Sequence, residues 1–237
     1  MDDKNLVGAI IGGSHAFGFN DEYSDLEIGF FWELIPDQNY RKKMYQSWGI
    51  ADSLEVNTLS DDPFGFSDHL WLKGLKIDVI HMSWSRVQEI IRSLVSGNRV
   101  DSASLALAAN ILYGKPLFLS HAFKALQKTL KPYPKRLRDN IVKRYSPNLR
   151  LHDFSKCCLR KEFPYASAEL YLYTLACAHV VCARKGRYFP GNKWLMHSLK
   201  ALDKKSYNHV RSLWNEFHNL VSNPKIETRA GVNGPRN

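Results

Sequence analysis

The chain predicts an α+β protein, a module of strands and helices followed by an all-helical region, and three observations carry that expectation. Short apolar runs broken by turn residues fill the first hundred positions, as strands do. From about residue 101 onward the apolar spacing is helical throughout. A glycine-rich turn, Gly12-Gly13-Ser14, joins the first two apolar runs, and the second of them opens on two carboxylates, Asp25 and Glu27.

In order, Leu6–Gly12 reads as a strand, Ser14–Gly18 as a turn or short helix, and Leu26–Trp32 as a strand. Asp37–Trp48 is expected to be helical, with Asp37 as its cap. Ser53–Leu59 and Phe66–Lys73 alternate like strands on either side of the loop 60–65. After the Gly74-Leu75 turn, Lys76–Met82 is another strand, and Ser83 precedes a helix over Trp84–Val95. Helices are then expected over Ala103–Leu112, Ser120–Leu130, Lys135–Tyr145, the basic stretch Pro147–Lys161, Ala166–Arg184, Gly191–Leu202 and Ser206–Val221. The division is 1–98 for the first module, 99–226 for the helical bundle and 227–237 for a polar tail expected to be disordered.

With 237 residues, 44% of them apolar, the chain can bury one large core or two small ones. No apolar stretch looks long enough to span a membrane, and the first residues do not resemble a signal peptide, so a cytoplasmic protein is expected. Four cysteines, at 157, 158, 177 and 182, form neither a disulfide framework nor a metal pattern. The net charge of +10 is concentrated in the second half. Such a surface suits phosphate-bearing partners, yet serves solubility equally well.

Asp25 and Glu27 stand at i and i+2, so on a strand they share a face. Two neighbouring acids repel unless a cation lies between them. Glycines at 12 and 13 let backbone amides approach an anion closely, and Ser14 could cap the following turn or bind a phosphate oxygen. Asp78 interrupts an otherwise apolar strand, where a carboxylate is costly unless it is metal-bound or, at an exposed strand end, paired with Lys76 or Arg86.

The Gly13-Ser14 pair, ten intervening residues and then Asp25-x-Glu27 resemble the signature of the polymerase-beta-like nucleotidyltransferase superfamily. The resemblance implies an N-terminal mixed sheet with flanking helices. Asp25, Glu27 and Asp78 would hold Mg²⁺, and Asp78 would serve as general base, with Gly12, Gly13 and Ser14 at the triphosphate. Farther on, Tyr188-Phe189 and Lys193-Trp194-Leu195 resemble a turn of the small-molecule branch, which includes aminoglycoside and lincosamide nucleotidyltransferases. By that resemblance Lys193 reaches the triphosphate, Tyr188 is a further candidate, and the helical region supplies the acceptor side of the cleft. Glu169 is the alternative base, since some antibiotic-modifying relatives use a helical-domain glutamate; a first-turn glutamate favoured by the helix dipole is the competing explanation.

The implied activity is transfer of a nucleoside monophosphate, AMP foremost, from ATP or another NTP to a hydroxyl of a small acceptor, with Mg²⁺. The basic second half fits a polycationic aminoglycoside poorly, so a neutral or anionic acceptor is expected. Transfer to RNA or protein, or a non-catalytic nucleotide-binding or antitoxin-like module, are the alternatives. A nucleic-acid partner is not favoured, and no membrane partner is expected. The family's leading helix is not found ahead of the first strand, which leaves room for a homodimer. Arg211 and His218 resemble the Arg/His pair of HEPN ribonucleases, but so short a pattern is common by chance.

Overall fold

A computed structural model describes residues 5–49, 54–56 and 65–222. The tail 227–237, the ends of the strand expected over Ser53–Leu59 and nearly all of the loop 60–65 lie outside the described residues. The fold is a mixed six-stranded sheet with flanking helices, followed by a helical C-terminal region. Two compact units divide it, residues 1–141 with 182–194, and residues 142–181 with 195–237.

In the first unit the strands are β1 (Leu6–Ile11), β2 (Leu26–Trp32), β3 (Leu54–Val56), β4 (Gly65–Leu72), β5 (Leu75–Ser83) and β6 (Lys115–Leu119). Their order across the sheet is β3-β4-β5-β2-β1-β6. Among the described strands β2 and β5 run parallel, and every other neighbouring pair is antiparallel. The parallel register sets Glu27 opposite Asp78 and Leu26 opposite Ile77. The β4–β5 hairpin closes on Lys73 and Gly74, with φ of 50° and 83°. Positive φ at both positions is the tight turn whose twist matches that of paired strands, and it fixes His69 opposite Asp78.

Side chains alternate between the two sheet faces. One face carries Leu26, Phe30, Trp32, Ile77, Val79 and Leu70, a core closed by Tyr45 and Met44 of α2 (Gln38–Ser47). Asp37 caps that helix by accepting from the Tyr40 amide. Buried polar groups also fasten α2 to the sheet. The Tyr45 hydroxyl donates to Asp68 at 2.7 Å and lies 2.7 Å from His81 Nε2, while within the sheet the Trp32 indole donates to His81 Nδ1 at 2.9 Å. Burial holds His81 below the usual histidine range despite the adjacent Asp68, so the ring stays neutral.

The opposite face carries Glu27, Gly29 and Phe31 of β2 beside Asp78, Ile80 and Met82 of β5. Over it lie α3 (Trp84–Val95), α4 (Ser102–Tyr113) and α5 (His121–Leu130), whose Phe123 ring packs edge-on against Phe31. Asp101 and Ser120 cap α4 and α5 through the amides of Ser104 and Phe123. Helix α1 (Gly13–Phe17) occupies the turn between β1 and β2.

Strand β6 departs from the all-helical expectation beyond residue 101. It is five residues long, contains Pro116, and pairs only with β1 at the sheet's edge. Proline is tolerated on an edge strand because no ladder partner needs its missing N–H. Nothing in Lys-Pro-Leu-Phe-Leu alternates, so tertiary pairing rather than local pattern makes it a strand.

Helix α6 (Lys135–Tyr145) follows, and helix α8 (Phe163–Arg184) runs from the second unit into the first. The second unit also holds α7 (Phe154–Leu159), α9 (Leu195–Leu202) and α10 (Lys204–Ser222). Its core joins Phe154, Ala166 and Leu170 to Leu213, Trp214 and Phe217, and the Trp214 indole donates to Thr174 at 3.0 Å. Contrary to the expectation that no apolar stretch is long enough, α8 meets the length and composition of a membrane span, but 61% of its apolar window is buried inside the protein. Cys177 and Cys182 are buried, as core residues should be.

Candidate active site

The β2/β5 register brings the predicted acids together. Asp25 immediately precedes β2, Glu27 lies two residues on, and Asp78 stands opposite Glu27 on the neighbouring strand. Their side chains emerge at the end of the sheet where α1 begins. Glu27 is held above the usual carboxylate range, first by burial, then by the negative charges of Asp25 and Asp78, with Lys193 and Lys76 pulling the other way. For Asp78 burial acts upward too. Hydrogen bonds from Lys76 and His69, and a contact with Asp25, outweigh it and leave the carboxyl below its ordinary range.

Asp78 has two close partners: Lys76, which the sequence offers as a pairing residue, and His69, which carries no recognisable motif. His69 Nδ1 lies 2.6 Å from Asp78 Oδ1. Lys76 Nζ lies 2.9 Å from Asp78 Oδ1 and 3.9 Å from Asp25 Oδ2. The hairpin turn at Lys73-Gly74 is the signal for His69, because a two-residue turn makes 69 the partner of 78. Lys76 sits at i−2 from Asp78 and so shares its face.

The glycine turn is arranged differently from the expectation. Gly12, not Ser14, is the N-cap of α1, and Ser14 is buried within the first turn. The Gly12 amide donates to the Glu27 carbonyl at 2.9 Å, and the Gly13 amide donates to Asn110 Oδ1 at 2.9 Å. Both amides are thus used to hold the turn against β2 and α4. Gly13 has φ of 57°, and a Cβ there would collide with the Glu27 carboxylate. The glycine therefore serves the acid directly: it makes room for Glu27 above the turn.

Lys193 lies in a 3-10 turn, Asn192–Trp194, just ahead of α9 rather than in that helix's first turn. Its ammonium is exposed, and its charge acts on Glu27. Trp194 beside it packs on Phe19, ring centroids 5.4 Å apart, which ties this turn to the exit of α1. Tyr188 is placed otherwise than a ligand-binding residue should be. It is buried, its ring packs on Tyr133, and its hydroxyl donates to the Leu130 carbonyl at 3.1 Å. Burial drives its pKa above the ordinary tyrosine range. In the second unit, Glu169 Oε1 accepts the Asp153 amide at 3.1 Å.

Among the described residues, no three His, Cys, Asp or Glu side chains are arranged as they stand to enclose a metal ion. The Lys76 ammonium lies instead among the three acids, a stand-in cation. Donor chemistry fits a hard divalent ion: three carboxylates, one of them raised by burial and then by its acidic neighbours, supply oxygen ligands and negative charge in excess of the nearby ammonium groups.

No family model and no curated protein matches the chain. Among solved structures, it is similar to a nucleotidyltransferase-like protein from Exiguobacterium sibiricum 255-15. The identity is 12%, over 92% of this chain and 67% of that one, with a TM-score of 0.40.

Proposed function

We propose that the chain is a nucleotidyltransferase that moves a nucleoside monophosphate from an NTP, ATP foremost, to the hydroxyl of a small acceptor. The observation that carries this reading is the gathering of Asp25, Glu27 and Asp78 at one sheet end, over a turn whose Gly13 is shaped around Glu27. Three acids with a cation among them beside that turn suit the handling of a polyphosphate. The motif spacing that resembles the polymerase-beta-like superfamily supports the same reading.

In this reading the acceptor oxygen forms a bond to the α-phosphorus while the bond from that phosphorus to pyrophosphate breaks. Asp78 takes the hydroxyl proton, and His69, at 2.6 Å, is placed to share it. Asp25, Glu27 and Asp78 would hold Mg²⁺, which supplies charge neutralisation at the phosphates. Lys193 and Lys76 contribute positive charge toward the same carboxylates and thus toward any phosphate held there. Glu169 is less suited to be the base, because one of its oxygens already caps the Asp153 amide.

The test is pyrophosphate release from ATP and Mg²⁺ in a screen of small hydroxyl compounds. Asp25→Asn should abolish release while circular dichroism shows the fold retained. Nucleotide binding with no release from any acceptor would favour a non-catalytic binding module. A labelled polynucleotide after incubation with α-labelled NTP would redirect the assignment to RNA.

A further inference from the structure

Behind the acids lies a cavity that the proposed transfer chemistry does not itself use. It has a volume of about 280 Å³ and runs under α4 along the face that carries Glu27. Ile10, Phe31, Ile80 and Met82 form its floor on the sheet, and Ala106 and Leu107 of α4 form its roof. The space exists because small residues meet there: Gly12 and Gly29 on the sheet side, Ala103 and Ala106 on the helix. Among the lining side chains only Glu27 and Asn110 are polar, and both stand where the cavity meets the glycine turn. Asn110 is already committed, accepting the Gly13 amide and donating to the Ala106 carbonyl at 3.0 Å.

We infer that this cavity receives the apolar body of the acceptor, and that the acceptor is a one- or two-ring apolar molecule carrying a single hydroxyl directed at Glu27. The inference rests on the nucleotidyltransferase reading and names its substrate class. The walls set the chemistry. A sugar or polyamine enclosed here would bury several donors against Ile, Phe, Met and Leu, each left without a partner and stripped of its water. A nucleobase faces the same deficit, since its several donors and acceptors would meet one lining amide, Asn110, which already gives one N–H to Ala106 and one lone pair to Gly13. An apolar body instead gains from every wall, and its hydroxyl stays at the polar mouth that Glu27 marks, on the side of the acids. The volume falls at the small end of the roughly 300–1,000 Å³ typical of ligand sites, which limits the body to one or two rings. The hydroxyl so placed lies on the same face as Asp78, the base of the proposed transfer.

The experiment is a fluorescence titration with 2-naphthol, run beside glucose and spermine, on wild type, Ala106→Phe and Ala103→Leu. Wild type is expected to bind 2-naphthol saturably, one to one, and to show no binding of glucose or spermine in parallel calorimetry. Each cavity-filling variant should weaken 2-naphthol at least tenfold while retaining MgATP binding. Methyl NMR on the wild-type protein supplies a readout that needs no variant: the Met82 methyl should shift on adding 2-naphthol. Failure of 2-naphthol to bind, an unmoved Met82 methyl, or equal binding by the filled variants overturns the inference. The two readings fail separately. Loss of MgATP binding with 2-naphthol still seated would remove the transferase reading and the acceptor role with it, whereas MgATP binding with an empty cavity would remove only the acceptor class.

Discussion

Lys76→Met removes the ammonium among the three acids and keeps most of its aliphatic stem. At 2.9 Å from Asp78 and 3.9 Å from Asp25, the two attractions are about 1.4 and about 1.1 kcal/mol at the permittivity of water. The Lys76 side chain is 41% exposed, so water's value is the relevant limit, and side-chain ordering cancels much of it. A loss of about 1 kcal/mol is expected, read as a lower urea midpoint at unchanged slope. The same change frees the space that a divalent ion must enter. Mn²⁺ should therefore bind the variant more tightly than wild type, by about tenfold for each 1.4 kcal/mol of relieved competition, and saturating Mn²⁺ should return more stability to the variant than to wild type. Isothermal titration calorimetry with MnCl₂ and urea unfolding with and without Mn²⁺ measure both effects. Equal or weaker Mn²⁺ binding by Lys76→Met would refute the idea that Lys76 stands in for a metal.

Three further outcomes follow from the geometry. Glu27→Gln should raise the metal-free melting temperature, because a half-buried carboxylate beside Asp25 and Asp78 opposes folding when ionised. Its folded pKa lies above the unfolded value, so the penalty it lifts is absent at low pH and grows as pH rises above about 4.5; an equal gain at pH 3.5 and pH 7 would contradict this. Gly13→Ala forces both a left-handed backbone, roughly 1–2 kcal/mol, and a shift of the Glu27 carboxylate out of the way of the new Cβ; it should lower the melting temperature and weaken Mn²⁺ binding, and intact Mn²⁺ affinity would sink the claim that the turn is shaped around this acid. In the second unit, burial and then Arg144 push His179 down to about 3. Stability from the neutral ring is complete above about pH 6.5 and falls as pH drops toward 3, by about 2 kcal/mol between pH 7.5 and pH 5. Urea unfolding at the two pH values, compared with His179→Phe, should show that slope in wild type and not in the variant.

The parts of the fold that follow local chemistry were legible in the chain. A short apolar run placed β2 at Leu26–Trp32, and Asp37 as a side-chain cap marked where α2 begins. What could not be read depended on tertiary pairing. Pro116 disguised β6, whose strand character comes wholly from β1. The α4 side chain Asn110 takes the Gly13 amide from 97 residues away, which no local pattern announces. Tyr188 looked like a loop residue beside Lys193, yet the long-range packing of Tyr133 and the Leu130 carbonyl draw it into the core. His69 was readable in principle, because the register follows from the Lys73-Gly74 turn, but that turn had to be recognised as a two-residue one first. Lys76 is the instructive case: spacing placed it on the acids' face, and only its reach showed that a cation already stands among them.

The most direct trial of the central claim is an anomalous difference map from crystals grown with Mn²⁺ and a non-hydrolysable ATP analogue. A Mn²⁺ peak bounded by Asp25, Glu27 and Asp78, with the triphosphate against the Gly12–Ser14 turn and Lys76 swung aside, is the expected result. Nucleotide bound elsewhere, or Lys76 still clasped to Asp78 with no Mn²⁺ between the carboxylates, would contradict it.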